Sequence, residues 1–398
     1  MPPHRQSGGC WAWVLSPVPP PRLGPHESFV RLRLVGPDSL IDRTAQEFAA
    51  LGGWASDSTP PSPPGRDGRQ VVLAGTVAQL RQLAARGPAP AAEVLDAALT
   101  RALGGPPAVR LGTHLFDFPR RVYVAGILNA TPDSFYDRGR FFGTDAALAR
   151  AADIVRQGAD VIEVGGESAQ AGERLDPAVE MDRVVPLVEE LVRRYPLPVA
   201  VDTYKPDVAR AAIQAGAVLI NDIAGLGEAG MAEAIAGSDA GVVIMHLHGR
   251  PKESYGDLDV PSVMDWVAVF LRQRIEAATV AGIPRDRIFV DPGLNFGKRP
   301  HRDLELMQRL PELRTLGCPI FVATSRKDYI RDLLCLPPDD LLEGTAAAVA
   351  FAVVQGANML RVHDVEAMVR VVRMTEHLAG YSSGERLSAE EQRDVTAH

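Results

Sequence analysis

The feature that most limits the fold of this chain is a unit of apolar run, polar loop and helix, which repeats from residue 122 to residue 377. The first copy, at 122–134, has the sequence VYVAGILNATPDS. Its apolar part is typical of a buried strand, and its loop carries an amide, two hydroxyls and a carboxylate. Strands of a parallel α/β barrel alternate with helices in this way, and the loops after the strands build the active site. The repetition therefore predicts a parallel α/β enzyme.

Eight such units can be recognised. The predicted strands are 122–128, 161–164, 198–201, 218–221, 241–245, 287–290, 319–323 and 358–361. Helices occupy the intervals, for example 145–157, 177–194, 206–215 and 364–377. Eight units over about 255 residues match a (β/α)₈ TIM barrel. A doubly wound open sheet is the alternative, but the GxGxxG turn expected of that fold is missing.

The barrel is predicted to occupy residues 111–385. Residues 1–27 are rich in Pro, Gly and Ser and are predicted to be a disordered tail, and residues 386–398 a polar C-terminal tail. Residues 28–110 are predicted to form a small N-terminal α+β extension without catalytic residues, serving as a scaffold or an oligomer contact. Its predicted elements are strands at 29–36 and 71–75, helices at 39–51, 76–86 and 91–103, and a linker at 56–69.

Composition narrows the class of partner and the compartment. A net charge of −8 and a pI near 5.7 argue against nucleic acid or an anionic membrane as the main partner. No apolar run approaches the roughly 18 residues of a membrane span. Three cysteines are too few and too scattered for a disulfide framework or a zinc site, and Cys318 and Cys335 are predicted to be core thiols. A reducing, cytoplasmic setting is expected.

Polar residues stand at the end of every predicted strand of the barrel. For single residues a structural reading is available: Asp222 and Asp364 suit helix caps, His246 suits a core position, and Asn129 or Glu163 suits a loop contact. These readings stay open. Burying so many polar groups at one end of a barrel is nevertheless costly unless something binds them.

The strand-end residues are also sorted by charge. Asp202, Asn221 and Asp291 are rich in acceptors and suit a ring with several N–H donors, such as an aminopyrimidinone. On strands seven and eight, donors suited to an anion cluster where such barrels commonly bind phosphate; they are Ser325, Lys327, Arg361 and His363. Asn129 offers a neutral oxygen suited to Mg²⁺ shared with phosphate oxygens. The sequence therefore predicts a two-ended site for a nitrogen heterocycle and an anion.

Seven blocks of the barrel region can be singled out: GILNATPDSF (126–135), GADVIEVGGES (158–168), 201–226 (beginning VDTYKPDVAR), VVIMHLHG (242–249), DPGLNFGK (291–298), TSRKDYI (324–330) and 344–365 (containing MLRVHDV). They resemble the blocks of the dihydropteroate synthase family, in the expected order and over about residues 110–380. The resemblance implies a pterin-binding TIM barrel that condenses 6-hydroxymethyl-7,8-dihydropterin pyrophosphate with p-aminobenzoate to give 7,8-dihydropteroate and pyrophosphate, with Mg²⁺. It also implies a homodimer, for which the apolar helices at 342–354 and 365–374 are a candidate surface, although they equally suit packing on the barrel.

The resemblance implies a role for each matching residue. Catalytic roles fall on Lys327, Arg361, His363, Asp202 and Asp291. Substrate contacts fall on Asn221, Met245, Phe296, Ser325, Thr131, Asp133 and Gln170, and metal binding on Asn129. Of these, Ser325 and Phe296 would contact p-aminobenzoate, and the loop at 131–141 would close over the site. The nucleophile is a neutral aromatic amine, so no strong general base is needed.

The second block departs from the family pattern. The family has Thr-Arg-Pro after Glu-Ser, whereas this chain has Ala169-Gln170-Ala171, and Glu163 stands where the family has Asp. Gln170 lacks the charge and the bidentate fork of arginine. Arg174, or Arg138 and Arg140 in the first loop, are candidates to compensate. Two alternatives follow: a paralog that binds pterin without synthase activity, and a pterin-dependent methyltransferase domain, against which the anion-binding residues argue.

Overall fold

A closed parallel barrel with an α+β unit before it makes up this protein. The computed structural model describes residues 11–14, 29–57, 69–130, 144–169, 171–253, 256 and 258–381. Within them no helix is long and apolar enough to cross a membrane. The predicted (β/α)₈ TIM barrel is confirmed, and the open doubly wound sheet is wrong.

The barrel consists of eight parallel strands in the order β12-β11-β10-β9-β8-β7-β14-β13. They are β7 (Tyr123–Asn129), β8 (Val161–Gly165), β9 (Val199–Asp202), β10 (Leu219–Asp222), β11 (Gly241–Met245), β12 (Ile288–Asp291), β13 (Phe321–Val322) and β14 (Met359–Val362). A bridge between Val290 and Ile320 closes the ring, with the Val290 amide donating to the Pro319 carbonyl at 3.0 Å. β13 is shorter than the predicted 319–323, since Pro319 has no N–H to donate.

Helices cover the outside of the barrel, as the repeat predicts. They are α4 (Thr144–Arg156), α5 (Pro177–Arg194), α6 (Pro206–Gln214), α7 (Met231–Ala236), α8 (Val263–Val280), α9 (Pro300–Gln308), α10 (Asp328–Leu334), α11 (Leu342–Val354) and α12 (Val365–Ala379), with 3₁₀ turns at Arg285–Arg287 and Leu310–Leu316. α5 shows why such helices start where they do: the Asp176 carboxylate caps it by accepting from the Ala178 amide at 2.8 Å, and Pro177 suits the first turn.

The N-terminal unit has a four-stranded antiparallel sheet in the order β1-β2-β4-β3 and three helices. Its elements are β1 (Trp11–Val14), β2 (Phe29–Gly36), α1 (Asp38–Ala50), β3 (Trp54–Asp57), β4 (Arg69–Thr76), α2 (Val77–Arg86) and α3 (Ala91–Gly104). Alternate residues of β2, namely Val30, Leu32 and Leu34, are buried in a core separate from that of the barrel. A half-buried strand was predicted at 29–36, and the structure has it there.

Two strands of this sheet lie in segments predicted to be irregular. β1 falls in the predicted tail at 1–27, and β3 ends inside the predicted linker at 56–69. β1 forms because its backbone pairs with β2, for example Ala12 with Leu34, and Ala12 is buried. Such pairing depends on a partner distant in sequence, which local composition does not register. The remainder of residues 1–27 and the tail at 386–398 lie outside the described residues.

A buried ion pair fastens the N-terminal unit to the barrel. Arg33 on β2 donates from one nitrogen to both oxygens of Asp265 on α8, at 2.7 and 2.8 Å. Arg309 donates to the same carboxylate at 3.0 Å. A charge pair this well shielded is tolerated when it is hydrogen-bonded, and both oxygens of Asp265 are, although the Arg33 Nε has no partner among the described residues. Val30, Leu32 and Leu34 thus face the core of the N-terminal unit, whereas Arg33, on the opposite face of β2, contacts the barrel.

The N-terminal end of the barrel is plugged by a short hairpin of β5 (Val109–Leu111) and β6 (His114–Phe116). Leu111 and Phe116 are buried in one cluster with the inward side chains of the barrel strands, and the Phe118 ring lies 5.6 Å from Phe289. The interior is therefore filled from below, and only the opposite end is free for a site. Cys318 is buried as predicted, but the prediction for Cys335 is wrong: it ends α10 in a left-handed conformation and is exposed.

Candidate active site

The polar residues converge because of strand alternation. Near the N-terminal ends of the barrel strands, the inward side chains form one apolar cluster that includes Ala125, Val161, Ala200, Leu219, Val243, Phe289, Phe321 and Met359. Successive side chains point to opposite faces of a strand, so the residue two positions further along also faces inward. Those residues are Ile127, Glu163, Asp202, Asn221, Met245, Asp291, Ala323 and Arg361. An apolar floor is thus followed by a polar layer at the C-terminal end of the barrel.

Arg361 is the centre of this layer. Its Nε donates to Glu163 and its Nη2 to Asp202 at 2.8 Å, although the three residues are far apart in sequence. The side chains of Glu163, Asp202 and Arg361 are 0%, 14% and 18% exposed. Burial opposes the charge of Arg361, but the two carboxylates outweigh it and raise its pKa. The prediction of separate ends for a heterocycle and an anion was too simple, because Arg361, predicted at the anion end, contacts Asp202 from the heterocycle end.

Asn221 joins the same cluster from β10. Its Nδ2 donates to the Glu163 Oε1 at 3.3 Å. Two buried oxygens of this pair, Glu163 Oε2 and Asn221 Oδ1, have no hydrogen-bond partner among the described residues. Buried acceptors are normally satisfied, so this pair is suited to a ligand that brings N–H donors.

Asp291 is positioned by the loop that follows β12. Its Oδ1 accepts from the Gly293 amide at 2.7 Å. The buried Lys298 ammonium spans this loop, donating to the carbonyls of Gly293 at 2.7 Å, Phe296 at 2.9 Å and His246 at 3.3 Å. Gly293 has a φ of +69°, and a Cβ there would lie 1.9 Å from the His246 carbonyl oxygen. The loop is therefore tightly packed, and it presents Asp291 and Phe296 to the barrel mouth.

Lys327 follows β13 and lies over an aromatic ring. Its Nζ is 4.6 Å from the centroid of Phe296, and within the described residues it has no hydrogen-bond or ion-pair partner. Burial and the charge of Arg361 lower the pKa of Lys327, while the carboxylate of Asp291 opposes that shift. An ammonium in this position retains N–H donors for an incoming acceptor.

Ser325 and His363 form a pair next to these groups. The Ser325 Oγ accepts from the His363 amide at 3.2 Å and lies 3.1 Å from its Nδ1. Burial and the positive charge of Arg361 lower the pKa of His363 to about 3, so the imidazole is neutral at pH 7. His363 can therefore donate a hydrogen bond to an anion but does not add a charge. The neighbouring Arg326 forms a two-point pair with Asp364 at 2.7 and 2.9 Å.

Burial and mutual charge set the ionisation of the two aspartates. Burial raises the pKa of Asp202 to about 7; Arg361 opposes this shift and Glu163 adds to it. Burial likewise raises the pKa of Asp291 to about 6, although the Gly293 amide and Lys327 act in the opposite direction. Asp202, Asp291, Lys327 and Arg361 are thus close enough for their charges to act on one another.

A cavity of about 600 Å³ opens beside the polar layer, and Asn129 and His363 are both in its wall. The side-chain amide of Asn129 makes no hydrogen bond to any described residue, although its backbone is part of the β7–β8 pairing. The described residues contain no group of three or more His, Cys, Asp or Glu side chains that could hold a metal ion. Asn129 therefore fits a hard cation only as a single oxygen ligand, with the remaining ligands coming from an anionic substrate and water.

The second loop, after β8, is tied down at both ends. Glu167 accepts from the Leu175 amide at 2.5 Å and from the buried Lys205 at 2.9 Å. The Lys252 ammonium donates to the Ser168 carbonyl at 3.0 Å, and the Lys252 carbonyl accepts from the Gly172 amide at 3.0 Å.

The tied second loop lies against the apolar part of the site. Ala169 and Phe296 both pack against a buried cluster that includes Met245. The loop therefore covers the side of the site where Phe296 lies.

Arg174 does not take the place of the missing loop arginine. Its guanidinium donates to Glu228 at 3.1 and 3.3 Å and stacks 4.9 Å from the centroid of Tyr204. It is committed to a half-exposed ion pair on the outside of the loop. Arg138 and Arg140, together with Thr131, Asp133 and Gln170, lie outside the described residues.

The structural roles predicted for single residues are only partly confirmed by the contacts of those residues. The helix-cap prediction for Asp222 is wrong: it holds the loop after β10, accepting from the amides of Ala224 and Leu226 at 2.8 and 2.7 Å. His246 is a core residue, 1% exposed and edge-on to Phe270. Asp364 makes no cap and pairs with Arg326 instead. The loop reading of Glu163 is wrong, since its bonds are to Arg361 and Asn221 across the barrel; its place two residues after the inward Val161 was the signal for this.

The comparisons with known proteins agree with this geometry. A family model described as pterin binding enzyme matches residues 125–363. The dihydropteroate synthase of Synechocystis sp. is 36% identical over 276 residues, 69% of this chain and 96% of the relative. A Mycobacterium leprae protein named inactive dihydropteroate synthase 2 is 41% identical over 267 residues, 65% of this chain and 91% of that protein. The solved structure of Xanthomonas albilineans dihydropteroate synthase with 4-aminobenzoic acid has a TM-score of 0.64 and 37% identity, covering 69% of this chain and 98% of that chain.

The packing of the Asp291 loop can be tested by substitution. Gly293→Ala forces a Cβ against the His246 carbonyl at a positive φ, so we expect the free energy of unfolding to fall by about 1–3 kcal/mol in urea titrations. Gly237→Ala is the matched control, because its Cβ would meet nothing within 4 Å, and it should change stability by less than about 0.5 kcal/mol. Equal values for the two variants would contradict the close packing.

Proposed function

The chain belongs to the dihydropteroate synthase family of pterin-binding enzymes, and from this premise we propose that it condenses 6-hydroxymethyl-7,8-dihydropterin pyrophosphate with p-aminobenzoate, releasing 7,8-dihydropteroate and pyrophosphate. The observation that carries the proposal is the polar layer at one end of the barrel, where carboxylates, an amide, a guanidinium and an ammonium meet. Acceptors suit the N–H groups of a pterin, and the donors suit a diphosphate.

The pterin is proposed to lie against Asp202, Asn221 and Asp291, with Met245 on its apolar side. Lys327 is close to both Asp291 and the ring of Phe296, so its ammonium can donate to the carbonyl of the pterin ring. When Asp202 and Asp291 are both ionised, they and Glu163 outnumber the cations Arg361 and Lys327 in this cluster. The excess negative charge favours the positive charge that develops on the pterin methylene when its C–O bond breaks.

The diphosphate is proposed to lie between Arg361 and the cavity whose wall contains His363 and Asn129. Nε and Nη2 of Arg361 are committed to carboxylates, so its Nη1 edge is the one left for an anion. His363 contributes a neutral N–H donor. When Mg²⁺ is bound, it offsets the charge that builds up on the departing pyrophosphate; Asn129 would hold it through one oxygen.

The p-aminobenzoate is proposed to lie at Ser325 and Phe296, beneath the second loop. In the reaction, the aniline nitrogen forms the new N–C bond as the C–O bond breaks, the electron pair leaves with pyrophosphate, and the nitrogen loses one proton. The amine is already neutral at pH 7, so the site needs no strong base. Thr131, Asp133 and Gln170 remain proposed substrate contacts on the strength of the family pattern.

A pterin-binding protein without synthase activity is the second candidate. Two observations favour it: Gln170 replaces the loop arginine of the family, and a relative at 41% identity is named an inactive synthase. The lost charge would weaken an anion contact by roughly 1.5–3 kcal/mol. The intact set of Ser325, Lys327, Arg361 and His363 favours the enzyme, because a protein that only binds pterin does not need groups for an anion.

Turnover decides between these candidates. We expect the purified protein with both substrates and Mg²⁺ to release pyrophosphate only when p-aminobenzoate is present. Lys327→Met should lower kcat/KM by about 100-fold or more, because it removes a buried charge from the reacting region. Arg174→Ala should leave both Michaelis constants unchanged, since its guanidinium is committed to Glu228. Pterin binding without pyrophosphate release would favour the inactive paralog.

The pKa values of the two aspartates predict how pterin binding depends on pH. Burial raises both pKa values above the ordinary aspartate value of 3.8, to about 7 for Asp202 and about 6 for Asp291, so the ionised fraction grows as pH rises through this range. If the ionised forms accept the N–H groups of the ring, affinity should increase between pH 5 and 7.5. Calorimetric titration with 6-hydroxymethylpterin, which has no phosphate to titrate, measures this. Affinity that is constant across that range would count against the assignment.

We also propose a homodimer, formed through α11 and α12. These neighbouring helices expose Phe351, Val354, Met374 and Leu378, at 42%, 56%, 58% and 75%. Large exposed apolar side chains on adjacent helices are typical of a protein–protein contact. The N-terminal unit is proposed to be a scaffold, because Arg33 docks it rigidly on α8, and a cytoplasmic location is proposed from the free Cys318 and Cys335.

The oligomeric state tests this surface. Sedimentation equilibrium should give a dimer for the wild type and a monomer for Phe351→Glu, since a buried carboxylate opposes association. Val280→Glu is the control, because Val280 is 90% exposed at the end of α8, away from the proposed contact. A monomeric wild type, or a Phe351→Glu variant that stays dimeric, would exclude this surface.

A further inference from the structure

Glu163 is a charged residue whose side chain is fully buried inside the barrel. It is on β8, two residues after the inward Val161, and it is fully buried above the apolar floor of the barrel. Its neighbours in the strand, Ile162 and Val164, face the outer core. A buried carboxylate is costly unless it is paired and hydrogen-bonded. Within the described residues, its only side-chain hydrogen bonds are those that Oε1 accepts from Arg361 and Asn221.

The bond to Asn221 determines how that amide is oriented. A carboxylate paired with an arginine only accepts hydrogen bonds, so Asn221 must present its NH₂ group to Glu163. Its Oδ1 is then directed elsewhere, and it is buried without a partner in the described residues. The reverse orientation would bring two acceptor oxygens together. Glu163 thus decides that Asn221 has an acceptor oxygen, and not its NH₂ group, on the side away from Glu163.

The bond to Arg361 has a similar effect on the guanidinium. Glu163 holds Nε while Asp202 holds Nη2, so two carboxylates on neighbouring strands fix both the position and the plane of the group. A guanidinium fixed at two points cannot rotate about its last bond without breaking one of them. Its remaining edge, Nη1, is therefore oriented in advance.

We propose that Glu163 is a positioning residue that sets the ring specificity of the site: by fixing Asn221 with its oxygen toward the ligand, and by leaving its own Oε2 free, it selects a heterocycle whose edge carries N–H donors. This inference rests on the proposed function and deepens it. A pterin carries such a donor in its 2-amino group. A lumazine, with a carbonyl in place of that amino group, would bring an acceptor against acceptors and be rejected.

The length of the side chain matters as well as its charge. An aspartate at this position would withdraw the carboxylate by about 1.5 Å, one carbon–carbon bond. The contact to Asn221 is already 3.3 Å, so the shorter side chain would lose it while remaining a charged acceptor. Glu163→Asp therefore keeps the charged carboxylate but makes the side chain too short for the contact to Asn221. Glu163→Gln keeps the reach but can donate to the Asn221 oxygen and so allows that amide to turn over.

Binding measurements test the proposal independently of turnover. Calorimetry should compare the Kd of 6-hydroxymethylpterin with that of 6-hydroxymethyllumazine for each variant. We expect the wild type to prefer the pterin by at least about tenfold. Glu163→Gln should abolish most of this preference because Asn221 can then turn over, and Glu163→Asp should also reduce it because the contact that fixes Asn221 is lost. The Michaelis constant for p-aminobenzoate should stay within about twofold in both variants.

Glu312→Gln is the matched control for the loss of a buried carboxylate. Glu312 is 2% exposed and paired with Arg309, far from the barrel mouth, so its variant should keep the wild-type preference. A Glu163→Gln variant that folds and keeps the preference for pterin would overturn the proposal. If the wild type binds neither ring, the proposed function fails together with this inference. If it binds pterin without turnover, only the synthase activity fails and the preference still decides the role of Glu163.

Discussion

The closure of eight parallel strands into a ring is the constraint on which the rest of this structure depends. A closed barrel has an inside, and strand alternation then sends every second side chain into it. Near the N-terminal ends those side chains are apolar and pack against the β5–β6 hairpin, so they exclude water. Two residues further on, five of the eight inward side chains are polar. Glu163, Asp202 and Arg361 meet only because the ring brings β8, β9 and β14 together.

Once these charges share a poorly solvated space, their chemistry is no longer that of isolated side chains. Burial makes His363 a neutral donor and holds the pKa of Asp202 near that of water-exposed histidine rather than aspartate. The carboxylates of the layer outnumber its cations, and two of its buried acceptors lack partners in the part of the chain that the structure describes. A ring with N–H donors satisfies the acceptors of such a site, and an anion next to the ring satisfies its donors. The protein therefore supplies positioned charges, and the substrates supply the reacting bonds.

The limits of sequence-based prediction appear at particular residues. Strands such as β11 and helices such as α5 were predicted at their observed bounds, because apolar periodicity registers burial directly. β1 was missed because its pairing with β2 is not a local property. Arg174 was a reasonable replacement for the lost loop arginine until its contacts with Glu228 and Tyr204 showed where its charge is used. Charge identity can be read from a sequence, but the direction in which a long side chain turns cannot.

The sequence by itself determined the barrel, the order of its strands and the chemical type of each strand end, since these depend on periodicity and on residues close together along the chain. Only the tertiary structure decided which polar groups bond to one another. Arg361 was expected at an anion corner and instead bridges Glu163 and Asp202, and Glu163 proved to orient Asn221. The physical reason is that hydrogen bonds are short and directional. Partners separated by more than fifty residues are selected by barrel closure and not by spacing in the chain.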